Sequence, residues 1–187
     1  MQPVNTQFSC IILAGGEGKR VGGKDKGLIP YKGKPMIEHV IEIANTQTDE
    51  IVISANRNID IYKNYSRQVI PDQESICRGP LAGIAASLPY CSNDWVLVLP
   101  CDMLNIPKNI AQQLFSKIRN DNLSIVKNFE RFQLVFLLNK TQLPSIEHAL
   151  NINDLRLMHW IKSQNPSILN FSSNLYFQNF NDTSAFE

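Results

Sequence analysis

Residues 10–27, CIILAGGEGKRVGGKDKG, constrain this chain more than any other stretch. Cys10, Ile11, Ile12 and Leu13 form an apolar run long enough for a buried strand. Side chains then almost vanish at Ala14, Gly15 and Gly16, with Gly18, Gly22, Gly23 and Gly27 close behind. Glycines let a backbone turn tightly and approach a ligand, so that its N–H groups can face phosphate oxygens. Lys19, Arg20, Lys24 and Lys26 sit among them, in a segment too rich in glycine for an ordinary helix. Such a loop suits a polyphosphate; the plainer alternative is a surface loop with solvated lysines. Neither the Walker A pattern nor a GxGxxG fingerprint is present.

The chain has 187 residues, enough to bury a core as one domain, with residues 1–8 expected as a flexible tail. Eighteen basic and 17 acidic side chains leave a net charge of +1, which argues against binding nucleic acid or a membrane surface through bulk charge. No apolar run reaches the length of a membrane span. MQPVNTQF has neither a charged leader nor an apolar signal core, so a cytoplasmic location is expected. Cys10, Cys77, Cys91 and Cys101 are scattered without CxxC pairing, as expected of reduced thiols. His39, His148 and His159 show no metal-ligand spacing with them.

Apolar runs alternate with helical patterns along most of the chain. Ile37, Val40, Ile41 and Ala44 make one stripe of a helix opened by Pro35. Residues 50–55 and 68–70 read as strands, with a polar, tyrosine-bearing segment between them. A helix follows over 79–88, with Pro80 in its first turn. Residues 95–99, WVLVL, form the clearest strand and end in Pro100-Cys101-Asp102. Helices are expected over 107–118, 142–150 and 153–163, with strands over 123–126, 132–138, near Ile168 and near Tyr176. This alternation predicts a Rossmann-like α/β/α architecture with a mainly parallel sheet.

Parallel strands place their C-terminal ends on one edge, where the glycine loop, Asn56, Asp72 and Asp102 would converge. Asp102 directly follows an apolar strand, and the next helical pattern starts too late for it to be an N-cap. One carboxylate beside substrate phosphates suits Mg²⁺. Asp72 could instead be a turn residue after Pro71, and Asn56 a cap for the segment that follows it. A cationic loop opposite a magnesium carboxylate points to phosphoryl or nucleotidyl transfer. No GxSxG elbow or Cys/His arrangement suggests covalent catalysis.

The form LAGG-x-G-x-R-x-GG-x-DKGL, followed by G-x-P, resembles the MobA family of molybdenum cofactor guanylyltransferases, which are Rossmann-like nucleotidyltransferases. ISANR at 53–57, Asp72 followed by GPLAGI at 79–84, and LPCDM at 99–103 match the same family. The tail YFQNFND at 176–182 is similar to its closing F-x-N-x-N-T. Departures are QESICR at 73–78, Asp182 in place of threonine, and Met103-Leu104 where the family places a proline nearby.

The resemblance implies Mg²⁺-dependent transfer of GMP from GTP to the terminal phosphate of molybdopterin, releasing pyrophosphate. Leu13, Ala14, Gly15, Gly16 and Gly22 would border the nucleotide, and Arg20 and Lys26 would neutralise its triphosphate. Asn56, Asp72 and the 79–81 segment (Gly79, Pro80, Leu81) would lie toward the guanosine, Asp102 would bind the metal, and Asn179 and Asn181 would face the pterin. Arg20, Lys26 and Asp102 are thus the expected catalytic residues. Transient contact with cofactor-inserting proteins or apo-enzymes would follow. Rival readings are a cytidylyltransferase on the same pterin, a sugar-phosphate nucleotidyltransferase, against which the short chain without hexapeptide repeats counts, and a non-catalytic nucleotide-binding module.

Overall fold

The computed structural model describes residues 6–14, 16, 22–72, 79–119 and 121–178. Its strands are β1 (Phe8–Leu13), β2 (Pro30–Tyr31), β3 (Lys34–Pro35), β4 (Ile51–Ser54), β5 (Gln68–Ile70), β6 (Trp95–Pro100), β7 (Leu123–Asn128), β8 (Arg131–Asn139) and β9 (Ser167–Phe171). Between them run helices α1 (Met36–Ala44), α2 (Ile59–Tyr62), α3 (Pro80–Ser87), α4 (Ile110–Phe115), α5 (Leu143–Asn151) and α6 (Leu157–Ser163). Seven strands form one sheet in the order β5-β4-β1-β6-β8-β7-β9. Only β8 runs against its neighbours; the pairs β5–β4, β4–β1, β1–β6 and β7–β9 are parallel.

Helices cover both faces of the central strands, so residues 10–13 of β1 and 95–99 of β6 are apolar without alternation. Cys10, Ile12, Leu97 and Leu99 enter one core with Met36, Ile37, Val40 and Ala44 of α1 and Ile110, Ala111 and Leu114 of α4. Ile11, Val96 and Val98 enter the other, with Leu81 and Ile84 of α3, Ile146 of α5 and Trp160 and Ile161 of α6. The expected three-layer architecture is therefore present. Cys10, Cys91 and Cys101 are free and buried, while Cys77 lies outside the described residues. Burial, reinforced by Glu50, pushes the Cys91 thiol up to about 12.

Several expected boundaries shift for local reasons. The helix expected over 107–118 is confined to Ile110–Phe115, because Asn109 has non-helical dihedrals and Pro107 only closes a turn onto Ile110. The one expected over 153–163 starts at Leu157, since Asn153 is left-handed and Arg156 is extended. The tyrosine-bearing segment contains the short helix α2, entered through left-handed Asn58. Tyr176 is not in a strand. The chain turns at Phe177 (φ 61°), whose ring is buried 4.9 Å from that of Phe171. Lys32 and Gly33, both at positive φ, make the two-residue turn of the β2–β3 hairpin, which the sequence reading did not anticipate. Phe8, assigned above to the tail, is buried as the first residue of β1.

At the sheet's N-terminal edge the Glu50 carboxylate gathers donors from three residues. Ser9 and Ser92 donate their hydroxyls, the Ser92 backbone N–H approaches at 3.0 Å, and the Asn93 side-chain amide at 3.2 Å. At the C-terminal edge, Gly83 brings α3 so close to β4 that a Cβ would collide with the buried Ser54 Oγ and stand 3.3 Å from Asp72 Oδ1. Gly83→Ala should therefore destabilise the fold by about 1–3 kcal/mol through overpacking. Urea denaturation checks this, and unchanged stability would show that α3 yields without cost.

Candidate functional site

Strand register sets the site. Leu13 pairs with Ser54 on one side and Pro100 on the other, while Ser54 pairs with Ile70. Backbone bonds continue past the strand ends: the N–H of Ala14 donates to Ser54 O (2.8 Å), that of Cys101 to Leu13 O (3.1 Å), and that of Ala55 to Ile70 O (3.1 Å). The chain segments carrying Gly16, Asn56, Asp72 and Asp102 therefore leave the sheet side by side.

Lys26 crosses this edge, with its Nζ 2.9 Å from Asp102 Oδ2. Both side chains keep some exposure, 22% for Lys26 and 14% for Asp102. The other Asp102 oxygen accepts no hydrogen bond from the described residues. With α4 beginning only at Ile110, an N-cap role for Asp102 is ruled out. Among the described residues no group of three or more His, Cys, Asp or Glu could hold a metal. Among the described residues Asp102 would offer a metal one carboxylate, a donor that suits Mg²⁺ together with substrate phosphates.

Beneath Lys26 lies a set of contacts that the sequence reading missed. Asp25 is buried and accepts from Tyr62 Oη at its Oδ1 (2.6 Å) and from Asn58 Nδ2 at its Oδ2 (2.9 Å). Arg57 Nε lies 3.6 Å from the same Oδ2. The other guanidinium nitrogens of Arg57 donate to the carbonyls of Gly23 (2.7 Å), Gly16 (3.0 Å) and Lys24 (2.8 Å). Gly27 rests on Tyr62, and a Cβ there would be 2.5 Å from the phenol oxygen. Burial, then the bond to Asp25, pushes the Tyr62 hydroxyl's pKa upward, so it remains a donor. The available signals were DKG within the loop and Asn-Arg-Asn one residue beyond β4.

Asn56 and Asp72 bond reciprocally. Asn56 Nδ2 donates to Asp72 Oδ2 (2.9 Å), and the Asp72 N–H donates to Asn56 Oδ1 (2.8 Å). Asn56 does not cap α2, whose N-cap is Asn58. Burial raises the Asp72 pKa, and the Asn56 bond opposes that rise. Gly79, at φ 83°, precedes Pro80 at the start of α3. The Leu81 side chain is fully buried in the core, which leaves only its backbone for a ligand. Ala14 is buried, Leu13 is half-buried, and Gly16 and Gly22 are exposed. Gly15, Arg20, Asn179 and Asn181 lie outside the described residues. The chain just before Asn179 is tied beside the Asp102 loop: the Phe177 N–H donates to Asn105 O (2.8 Å), and Asn105 Nδ2 donates to Gln178 Oε1 (3.3 Å).

Residues 10–167 match the MobA-like NTP transferase domain. The molybdenum cofactor guanylyltransferase of Aliivibrio fischeri (strain MJ11) is 37% identical over 174 residues, 92% of this chain and 88% of the relative. That of Pseudomonas putida (strain GB-1) is 40% identical over 143 residues, 75% of each chain. The crystal structure of molybdopterin-guanine dinucleotide biosynthesis protein A from Archaeoglobus fulgidus superposes with a TM-score of 0.74 at 19% identity, covering 95% of this chain and 94% of that one.

Asp72 and Glu50 should pull stability in opposite directions with pH. The raised Asp72 pKa means that the folded state holds this proton more tightly than the unfolded chain. Its contribution therefore declines as pH rises from the ordinary value of 3.8 through the raised folded value. Burial pushes the Glu50 pKa up, but hydrogen bonds from Ser9, Ser92 and Asn93 outweigh it and hold the pKa below 4.5. The Glu50 contribution is present above that value and is lost as pH falls through the lowered one. Urea denaturation across pH should show Asp72→Asn removing the first dependence and Glu50→Gln the second. Unchanged profiles would contradict these assignments.

Proposed function

Because this chain belongs to the MobA-like NTP transferase domain family, a family of nucleotidyltransferases, we propose that it transfers GMP from GTP to the terminal phosphate of molybdopterin in the cytoplasm. The observation that carries the reading is the Lys26–Asp102 pair, set across the strand edge beside the glycine loop. A terminal phosphate oxygen of molybdopterin attacks the α-phosphorus of GTP as the bond to the β-phosphate breaks. Pyrophosphate leaves, and the product is the guanine dinucleotide cofactor.

The backbone of Leu13, Ala14, Gly15, Gly16 and Gly22 borders the nucleotide, while Arg20 and Lys26 neutralise its phosphates. Asp102 holds Mg²⁺, which when bound supplies charge neutralisation on the phosphate oxygens. Asn56 and Asp72 fix each other's orientation and present an amide and a carboxylate to guanosine. Gly79, Pro80 and Leu81 border that side through backbone, and Asn179 and Asn181 lie toward the pterin. Such chemistry relies on positioning and charge rather than on a covalent nucleophile. Transient contact with cofactor-inserting proteins or apo-enzymes delivers the product.

Pyrophosphate release with purified molybdopterin and Mg²⁺, supplying GTP, CTP or ATP in turn, tests the proposal. Release is expected with GTP alone. Release with CTP in its place would overturn the base assignment, and no release with any of the three would overturn the activity. Asp102→Asn should lower turnover by about a hundredfold to a thousandfold while the protein stays folded. Lys26→Ala should weaken GTP binding and slow turnover together. Near-normal kinetics in either variant would remove that residue from the mechanism.

A further inference from the structure

We propose that Asp25, Tyr62 and Arg57 form a positioning network that sets Lys26 against Asp102; the proposal rests on the phosphate and metal roles of Lys26 and Asp102 given above. A lysine is a compact charge on a flexible four-carbon stem, so its placement depends on the backbone that carries it. On either side of Lys26 that backbone is pinned to one side chain. Asp25 accepts the Tyr62 hydroxyl at 2.6 Å, and Gly27 packs against the same phenol. Between them the 3-10 turn Lys26–Leu28 is closed by the Leu28 N–H donating to Asp25 O at 3.1 Å.

Arg57 extends the network along the loop. Its guanidinium joins the carbonyls of Gly16, Gly23 and Lys24, so both ends of the glycine segment hang on one side chain. In a trans peptide the N–H points opposite to its carbonyl. Carbonyls drawn to Arg57 therefore turn the N–H groups of Lys24 and Asp25 away from it. The same bonds take those carbonyl lone pairs out of the path of an incoming anion. An apolar side chain would anchor a loop without the cost of burying a carboxylate. The charge at Asp25 instead attracts Arg57 at 3.6 Å, which fixes where the guanidinium sits.

A double-mutant cycle separates positioning from plain stability. Tyr62→Phe keeps the ring that Gly27 packs against and removes only the donor to Asp25. It should lower kcat/KM for GTP by up to about a hundredfold, as expected from displacing a catalytic group by about 1 Å. In the Lys26→Ala background the same change should cost little more, in turnover or in GTP affinity. Multiplying, independent costs would overturn the proposal. If Tyr62→Phe fails to fold by circular dichroism, Arg57→Gln, at a partly exposed side chain, takes its place in the cycle.

Acetylation of Lys26 by acetic anhydride, read by mass spectrometry without nucleotide, gives an answer that does not depend on the reaction. The rate at Lys26, relative to exposed Lys24, should rise in Tyr62→Phe as the amine leaves Asp102. An unchanged ratio would overturn the positioning role. A raised ratio in a protein whose parent releases no pyrophosphate would support the network and defeat the functional reading alone.

Discussion

Parallel pairing of β1 on both flanks, with β4 on one side and β6 on the other, is the constraint on which the rest of the molecule depends. A strand bonded on both edges and covered on both faces has little place for a polar side chain; Ser9, near the start of β1, is accommodated by its bond to Glu50. Every group that must meet a charged substrate is therefore displaced to where the strands stop. Leu13, Ser54, Ile70 and Pro100 end in register, so four polar segments far apart in sequence emerge within reach of each other. The sheet supplies the alignment, and the residues just beyond it supply the chemistry.

Charge at that edge is arranged in two tiers. Asp25 lies below, buried and enclosed by Tyr62, Asn58 and Arg57; Lys26 lies above and reaches Asp102. Neighbouring residues thus serve opposite ends, one gripping the interior and the other reaching the partly exposed Asp102. Asn56 and Asp72 form a second polar pair, on the β4–β5 side of the glycine loop. The two pairs thus put a cationic and a polar group at the same sheet edge.

Much of this was legible in the sequence, because period and composition report burial directly. The apolar runs 10–13 and 95–99 read as buried strands, and the stripe of Ile37, Val40, Ile41 and Ala44 as a helix on a core, and both are so placed. Asp102 stood out because an aspartate directly after such a run has little structural reason to be there. The reach of Arg57 to three loop carbonyls was not legible, since the contacts span 33 to 41 residues and leave no periodic trace. Tyr62 was hidden for the same reason, in a segment whose polarity masked a short helix. The antiparallel insertion of β8 was equally silent, because a fully paired strand reads the same in either direction.

A crystal structure with GTP and Mg²⁺ bound would test the central claim most directly. The account predicts Mg²⁺ on an Asp102 oxygen, Lys26 Nζ moved from Asp102 onto a phosphate oxygen, and the Asp25–Tyr62 bond intact. A nucleotide bound away from the ends of β1 and β6, with the Lys26–Asp102 pair still closed, would contradict it.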